Sequence, residues 1–233
     1  MNSAILGPRR DSDTVHIIAC ETLRPELDLV MKASGCAYPI RWVDTGKHAW
    51  PDKLSRHLQE TIDSIPAQYT TLLLAYGFCG NAMVGLRSAS RTLVLPRAAD
   101  CIPLFLGSQA ERNRYGPATY FFTEGCLHSG AGLSGDLSTL QARYGEEKGI
   151  EILEMMMEHY RGFAVIDTGA SDTAKLSAEI DGLAVLLGLP VSVIPGNLRL
   201  LVALITGNWR TEEFLLVPPG GQVNFADSLF TAL

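Results

Sequence analysis

Three stretches of this chain stay apolar at successive positions instead of alternating: Thr14 to Cys20 (TVHIIAC), Thr70 to Tyr76 (TTLLLAY) and Thr92 to Pro96 (TLVLP). A strand with one wet face alternates apolar and polar residues, whereas a strand covered on both faces need not. These runs therefore read as buried strands of a mainly parallel sheet. Between them the spacing turns helical. RPELDLVMKAS runs to a stop at Gly35, and in WPDKLSRHLQETIDSI Pro51 suits a first turn while Leu54, Leu58, Ile62 and Ile65 form one stripe. A short strand within YPIRWV separates these two helices.

The alternation continues. TYFFTEG and GFAVIDTG read as strands, DLSTLQARYG, EEKGIEILEMMMEHY and DTAKLSAEIDGLAVLLGL as helices, followed by VSVIPG, NLRLLVALITG and EEFLLVPPG. Strands and helices in this order predict an α/β fold, doubly wound, with a mainly parallel sheet and helices on both faces. No linker divides the chain, so residues 14–233 are expected to form a single compact unit behind a flexible N-terminus over residues 1–13.

Composition narrows the function classes. With 47% hydrophobic and 19% charged residues the 233-residue chain can bury a sizeable core. The net charge of -6 and the scattered lysines and arginines leave no basic face for nucleic acid. No apolar run reaches membrane-spanning length and no signal-peptide core opens the chain, so a cytoplasmic protein is expected. An odd number of cysteines, five, argues against a disulfide framework and for thiols that pack, attack or bind metal.

The position of those thiols is the main chemical signal. Cys20 ends the first strong strand, Cys79 follows the second in LLLAYGFCG, and Cys101 follows the third in LVLPRAADC. In an open parallel sheet the carboxyl ends share one edge, and ligands bind outside it. Three thiols far apart in sequence are thus expected to converge there. Gly77 and Gly80 flank Cys79 and would let the backbone turn sharply and approach a bound group, presenting Cys79 at the start of a following helix where its thiolate is favoured. Three thiolates suit zinc with an open fourth position or a [4Fe-4S] cluster with one iron free. Cys126, after TYFF, is a candidate fourth thiol with His128 beside it, and Cys36 reads as packing at a helix exit. Polar groups collect at the same ends: Glu21, Arg97, Asp100, Ser108, Gln109, Glu124, Asp167 and Thr168. Among them Arg97 is the candidate anion binder, Asp100 and Glu124 are the candidate proton carriers, and Ser108 joins Gly77 and Gly80 as a candidate cofactor contact.

Two other features carry less. GAGLSG at 130–135 fits a dinucleotide-binding glycine pattern but comes late in the chain and lacks an acidic strand end about twenty residues on. The Met155–Met157 run lies on an amphipathic helix and reads as core or subunit-interface packing.

The motifs together resemble the DUF1638 domain family. The likeness rests on Ala19-Cys20 after the first strand, YGFCGN at Tyr76 to Asn81, RAADC at Arg97 to Cys101, LGS at Leu106 to Ser108, TYFFTEG at Thr119 to Gly125, and the late LITGNW and EEFLLVPPG segments. The resemblance implies a cytoplasmic α/β protein often encoded beside corrinoid-dependent methyltransferase systems. It also implies a shared site built on Cys20, Cys79 and Cys101.

The leading expectation is a metal-dependent enzyme or accessory protein of one-carbon or corrinoid-linked metabolism. It would act on a small anionic substrate, with a corrinoid protein or methyltransferase as partner. The alternatives are a metal-free enzyme with Cys79 as nucleophile and a binding module without turnover. If the protein oligomerises, a symmetric homodimer is the expectation.

Overall fold

The computed structural model describes residues 12–47, 50–129 and 132–228. The expected flexible N-terminus falls almost wholly outside them, as do Gly130 and Ala131 of the glycine pattern. Eight strands and nine α-helices are described. In chain order they are β1 (Val15–Cys20), α1 (Arg24–Ser34), β2 (Ile40–Val43), α2 (Pro51–Ser64), β3 (Thr71–Ala75), β4 (Thr92–Pro96), α3 (Ile102–Leu106), α4 (Gln109–Arg114), β5 (Thr119–Phe122), α5 (Glu124–His128), α6 (Leu133–Tyr144), α7 (Glu146–Met157), β6 (Gly162–Asp167), α8 (Thr173–Leu187), β7 (Val191–Pro195), α9 (Arg199–Thr206) and β8 (Phe214–Val217).

The fold is α/β with mainly parallel strands, as the unbroken apolar runs predict. The strands divide over two sheets rather than one. Five form a sheet in the order β2-β1-β3-β4-β8, parallel except for β8, which pairs antiparallel with the edge of β4. Three form a parallel sheet in the order β5-β6-β7. β8 occupies the edge that β5 would need to extend the first sheet, so β5 begins a second one.

The chain runs from β1 outward to β2 and then returns to β3 on the other side of β1. That reversal makes the carboxyl ends of β1 and β3 a topological switch point, where the loops diverge and leave a crevice.

The two sheets share a core. β1, β3 and β4 are almost wholly buried, and the same cluster contains Phe121, Ala164, Ile166 and Ile194 of the second sheet. The alternate residues Phe122, Phe163 and Val165 enter a second cluster with Leu153, Leu176 and Ile180. Successive side chains of a strand point to opposite faces, so β5 and β6 are covered on both. α2 buries Leu54, Leu58 and Ile62, and Ile65 just after its end is buried with them, the stripe its spacing predicts. Its last carbonyls are satisfied by buried Arg91, which donates to Ile62 O at 2.8 Å and to Ile65 O. Of the methionine run only Met157 turns inward; Met155 and Met156 are exposed.

Candidate thiol site

Cys20 is the last residue of β1 and is buried. Cys79 lies in the loop that leaves β3, on the other side of the switch point. The segment after it is a series of turns, not the helix expected there. Cys79 also has a positive φ of 44°, followed by Gly80 at 68° and Asn81 at 70°. A left-handed backbone is unfavourable for a side chain other than glycine, and such strain collects at functional sites.

Two glycines bring the loops together. The β3 loop is bonded to the segment after β4, with Phe78 N–H donating to Ala98 O at 2.8 Å and Cys79 N–H to Ala99 O at 2.9 Å. Gly77 packs so closely on the Asp100 backbone that a Cβ there would overlap its carbonyl. This sets Cys79 beside Cys101, the residue that caps the start of α3. Gly125, at the start of α5, packs in the same way on the Thr22 carbonyl. This sets Cys126 beside Cys20. Gly77 therefore makes a close approach to the Asp100 backbone.

Four thiols converge as a result: Cys20, Cys79 and Cys101 from the first sheet, Cys126 from the second. The Thr22 hydroxyl donates to Cys20 Sγ at 3.1 Å. The nearby Cys126 raises the pKa of Cys101, further raised by burial, and Cys101 in turn lowers that of Cys126. Burial pushes Cys20 up to about 11 and Cys79 up to about 12, and each of these two is raised further by neighbouring cluster groups, Cys126 for Cys20, Cys20 and Asp100 for Cys79. Burial likewise raises the phenol of Tyr76, which lies within reach of the charges on Cys20 and Cys79. None of the five cysteines is in a disulfide. Cys36 stands apart at the exit of α1, its thiol 3.8 Å from the Ser34 carbonyl.

A buried carboxyl completes the site. Glu26, on α1, has no solvent exposure. Its Oε1 accepts from the Thr168 hydroxyl, at the end of β6, at 3.0 Å, while its Oε2 has no hydrogen-bond partner. Burial raises its pKa to about 7, opposed by the Thr168 bond and reinforced by the charge of Glu124. Glu26 also lies close enough to Cys126 for its charge to disfavour that thiolate. The expectation of a polar group at Thr168 thus leads to a residue that spacing alone passed over. Its signal is a carboxylate on the apolar face of α1, beside Leu27, Val30 and Met31.

The other expected site residues are placed as follows. Glu124 lines a cleft of about 260 Å³ with Glu21, Arg24, Gly125 and His128, next to Cys126. His128 turns to α8, its Nε2 2.6 Å from Glu179 Oε2. Asp100 lies at the thiols and accepts from Ile102 N–H, the first residue of α3, at 2.9 Å. Ser108 caps α4 by accepting from Glu111 N–H at 3.0 Å. Arg97 donates from Nε to the Thr211 carbonyl at 3.0 Å, on the side of β8. Gly80 packs on Pro51.

Fold and site together define a two-sheet α/β protein with a cysteine cluster at a topological switch point. The family model described as "Protein of unknown function (DUF1638)" matches residues 42–205, and the chain belongs to that family. The matched span holds Cys79, Cys101 and Cys126; Cys20 and Glu26 precede it. No curated protein and no solved structure matches the chain. Among the described residues no helix is long and apolar enough to cross a membrane.

Proposed function

We propose that this chain is a metal-binding enzyme or metal-carrying accessory protein in which Cys20, Cys79 and Cys101 hold a [4Fe-4S] cluster or zinc with an open coordination position. The observation that supports the reading is the convergence of four thiols from four separate elements beside a switch point. Thiolates are the donors that iron–sulfur clusters and zinc select. Among the described residues no three His, Cys, Asp or Glu side chains are placed to share a single ion.

A cluster held by these three residues would have one iron without a protein ligand, and that iron would supply Lewis-acid chemistry toward a substrate. The cleft beside Cys126 supplies Arg24 for an anionic group and Glu124 for a proton. A cytoplasmic, corrinoid-linked setting, with a methyltransferase or corrinoid protein as partner, follows from the family resemblance and belongs to the same reading. The metal-free alternative with Cys79 as nucleophile is the weaker one, because burial holds that thiol up at about 12 and no helix start lowers it.

The test is iron, zinc and acid-labile sulfide analysis of protein purified without oxygen, with C20S, C79S and C101S in parallel. Iron with sulfide, or zinc, in the wild type and its loss in each variant is the expected result. Zinc alone would assign a mononuclear thiolate site in place of the cluster, and metal-free protein would overturn the proposal.

A further inference from the structure

A second cleft, of about 540 Å³, lies apart from the thiols. One wall is α2, with Ser55, Arg56, Gln59 and Asp63; the other is the segment between β3 and β4, with Arg87. Its walls are fixed by the protein itself. Gln59 ties one to the other: its Oε1 accepts from Arg87 N–H at 2.8 Å, and its Nε2 donates to the Arg87 carbonyl at 3.3 Å. Behind the cleft Gly85 N–H donates to Val223 O at 2.9 Å and Ser88 N–H to Gly221 O at 3.0 Å. The amide of Gln59 is thereby committed, but the guanidinium groups are not. Among the described residues neither Arg56 nor Arg87 has an ion pair or a side-chain hydrogen bond. Asp63 is the one carboxylate in the lining, and its Oδ1 accepts from Gln59 Nε2 at 3.0 Å. On the same helix His57 and Glu60 face each other at 3.8 Å. The lining therefore carries two cations and one anion, in a chain whose net charge is -6.

We infer that this cleft binds a phosphate monoester of a small polyhydroxylated molecule, a sugar phosphate in chemical class, with Arg56 and Arg87 on the phosphate and Asp63 and Ser55 on the hydroxyls. A guanidinium offers parallel N–H donors that match phosphate oxygens two at a time. A phosphate monoester has three terminal oxygens and can meet two such forks, whereas a carboxylate has two oxygens and is filled by one. Asp63 repels the phosphate but accepts from a hydroxyl, and the Ser55 hydroxyl can donate or accept. The ester is thus oriented with its phosphate toward the arginines and its hydroxyls toward α2. The cleft volume lies within the range of small-molecule sites, roughly 300–1,000 Å³, and exceeds what a phosphate alone would fill. Both arginines are exposed, so salt should screen the attraction and weaken binding. The site is independent of the thiol cluster and of any metal held there.

The test is isothermal titration calorimetry of the full chain, purified without oxygen, in a phosphate-free buffer of low ionic strength. Ribose 5-phosphate is the probe, with ribose, inorganic phosphate and citrate beside it. Ribose 5-phosphate should bind, ribose should not, and inorganic phosphate and citrate should bind more weakly. R56Q and R87Q should each weaken the probe by about tenfold or more, because each removes charged donors from the phosphate. R143Q, on the exposed surface of α6, should match wild type. D63N should weaken ribose 5-phosphate and leave inorganic phosphate no weaker. The arginine side chains lie outside the core, so the variants should fold, and far-UV circular dichroism checks this; R56K and R87K, which keep the charge without the fork, give a second reading. No binding of ribose 5-phosphate at millimolar concentration, or unchanged affinity in R56Q and R87Q, would overturn the inference. Inorganic phosphate or citrate binding as tightly as the probe would reduce the cleft to a general anion site and overturn the ester assignment. Equal binding of ribose would remove the phosphate from recognition and overturn it as well.

Discussion

Thr168 at the end of β6 donates its hydroxyl to Glu26 on α1, so a side chain of the second sheet bonds a wholly buried carboxyl packed on the first. A carboxyl in that position binds its proton more tightly in the folded chain than in the unfolded one. Its pKa rises from 4.5 to about 7. Between those values the folded state holds more protons, so stability falls as pH rises through this window and is fully reduced above it. The shift corresponds to roughly 3 kcal/mol at most. Glu26→Gln keeps an acceptor for Thr168 and cannot ionise. Urea unfolding of metal-free protein at pH 5 and pH 8 should show the variant gaining on wild type by about 2–3 kcal/mol between the two. An unchanged difference would mean that Glu26 does not titrate in this range.

Gly125→Ala tests the lock between the sheets. An added Cβ would overlap the Thr22 carbonyl, which is backbone and cannot swing away. A loss of about 1–3 kcal/mol or more is expected from overpacking. The displaced α5 should also carry Cys126 away from Cys20. Wild-type stability would show that the backbone yields easily. Gly77→Ala should act in the same way on Cys79.

Alkylation by iodoacetamide reads the order of thiol reactivity in metal-free protein. Cys79, held at about 12, should react on the order of a thousandfold more slowly at pH 7 than an unperturbed thiol. Cys126, lowered by the nearby Cys101, should be labelled first within the cluster. Selective labelling of Cys79 would instead restore it as a nucleophile.

Ser108→Ala separates a structural role from a cofactor contact. Its hydroxyl accepts from Glu111 N–H at the start of α4. Removing the cap should lower stability by about 1 kcal/mol. Metal content should be unchanged; its loss would place Ser108 among the cofactor contacts.

Local pattern carries most of the fold. Val15–Cys20, Thr71–Ala75 and Thr92–Pro96 are legible as buried strands because coverage on both faces removes the need for alternation, and burial is complete or nearly so along all three. The stripe of α2 is legible because helical spacing repeats within the segment itself. Chain direction alone then places Cys20, Cys79 and Cys101 toward one edge.

What local pattern leaves open depends on contacts between distant segments. The break into two sheets follows from β8 taking the edge of β4, more than a hundred residues away in sequence. The turns after Cys79 follow from a loop bonded to Ala98 and Ala99, which competes with a helix there. The convergence of Cys79, Cys101 and Cys126, and the burial of Glu26 near Cys126, depend on two close backbone approaches at Gly77 and Gly125. By itself the sequence determined the strand type, the helix faces and the edge on which the thiols lie, because those properties reside in short-range periodicity. Only the tertiary structure decided which thiols converge and which carboxyl joins them, because those depend on how two separately wound sheets pack.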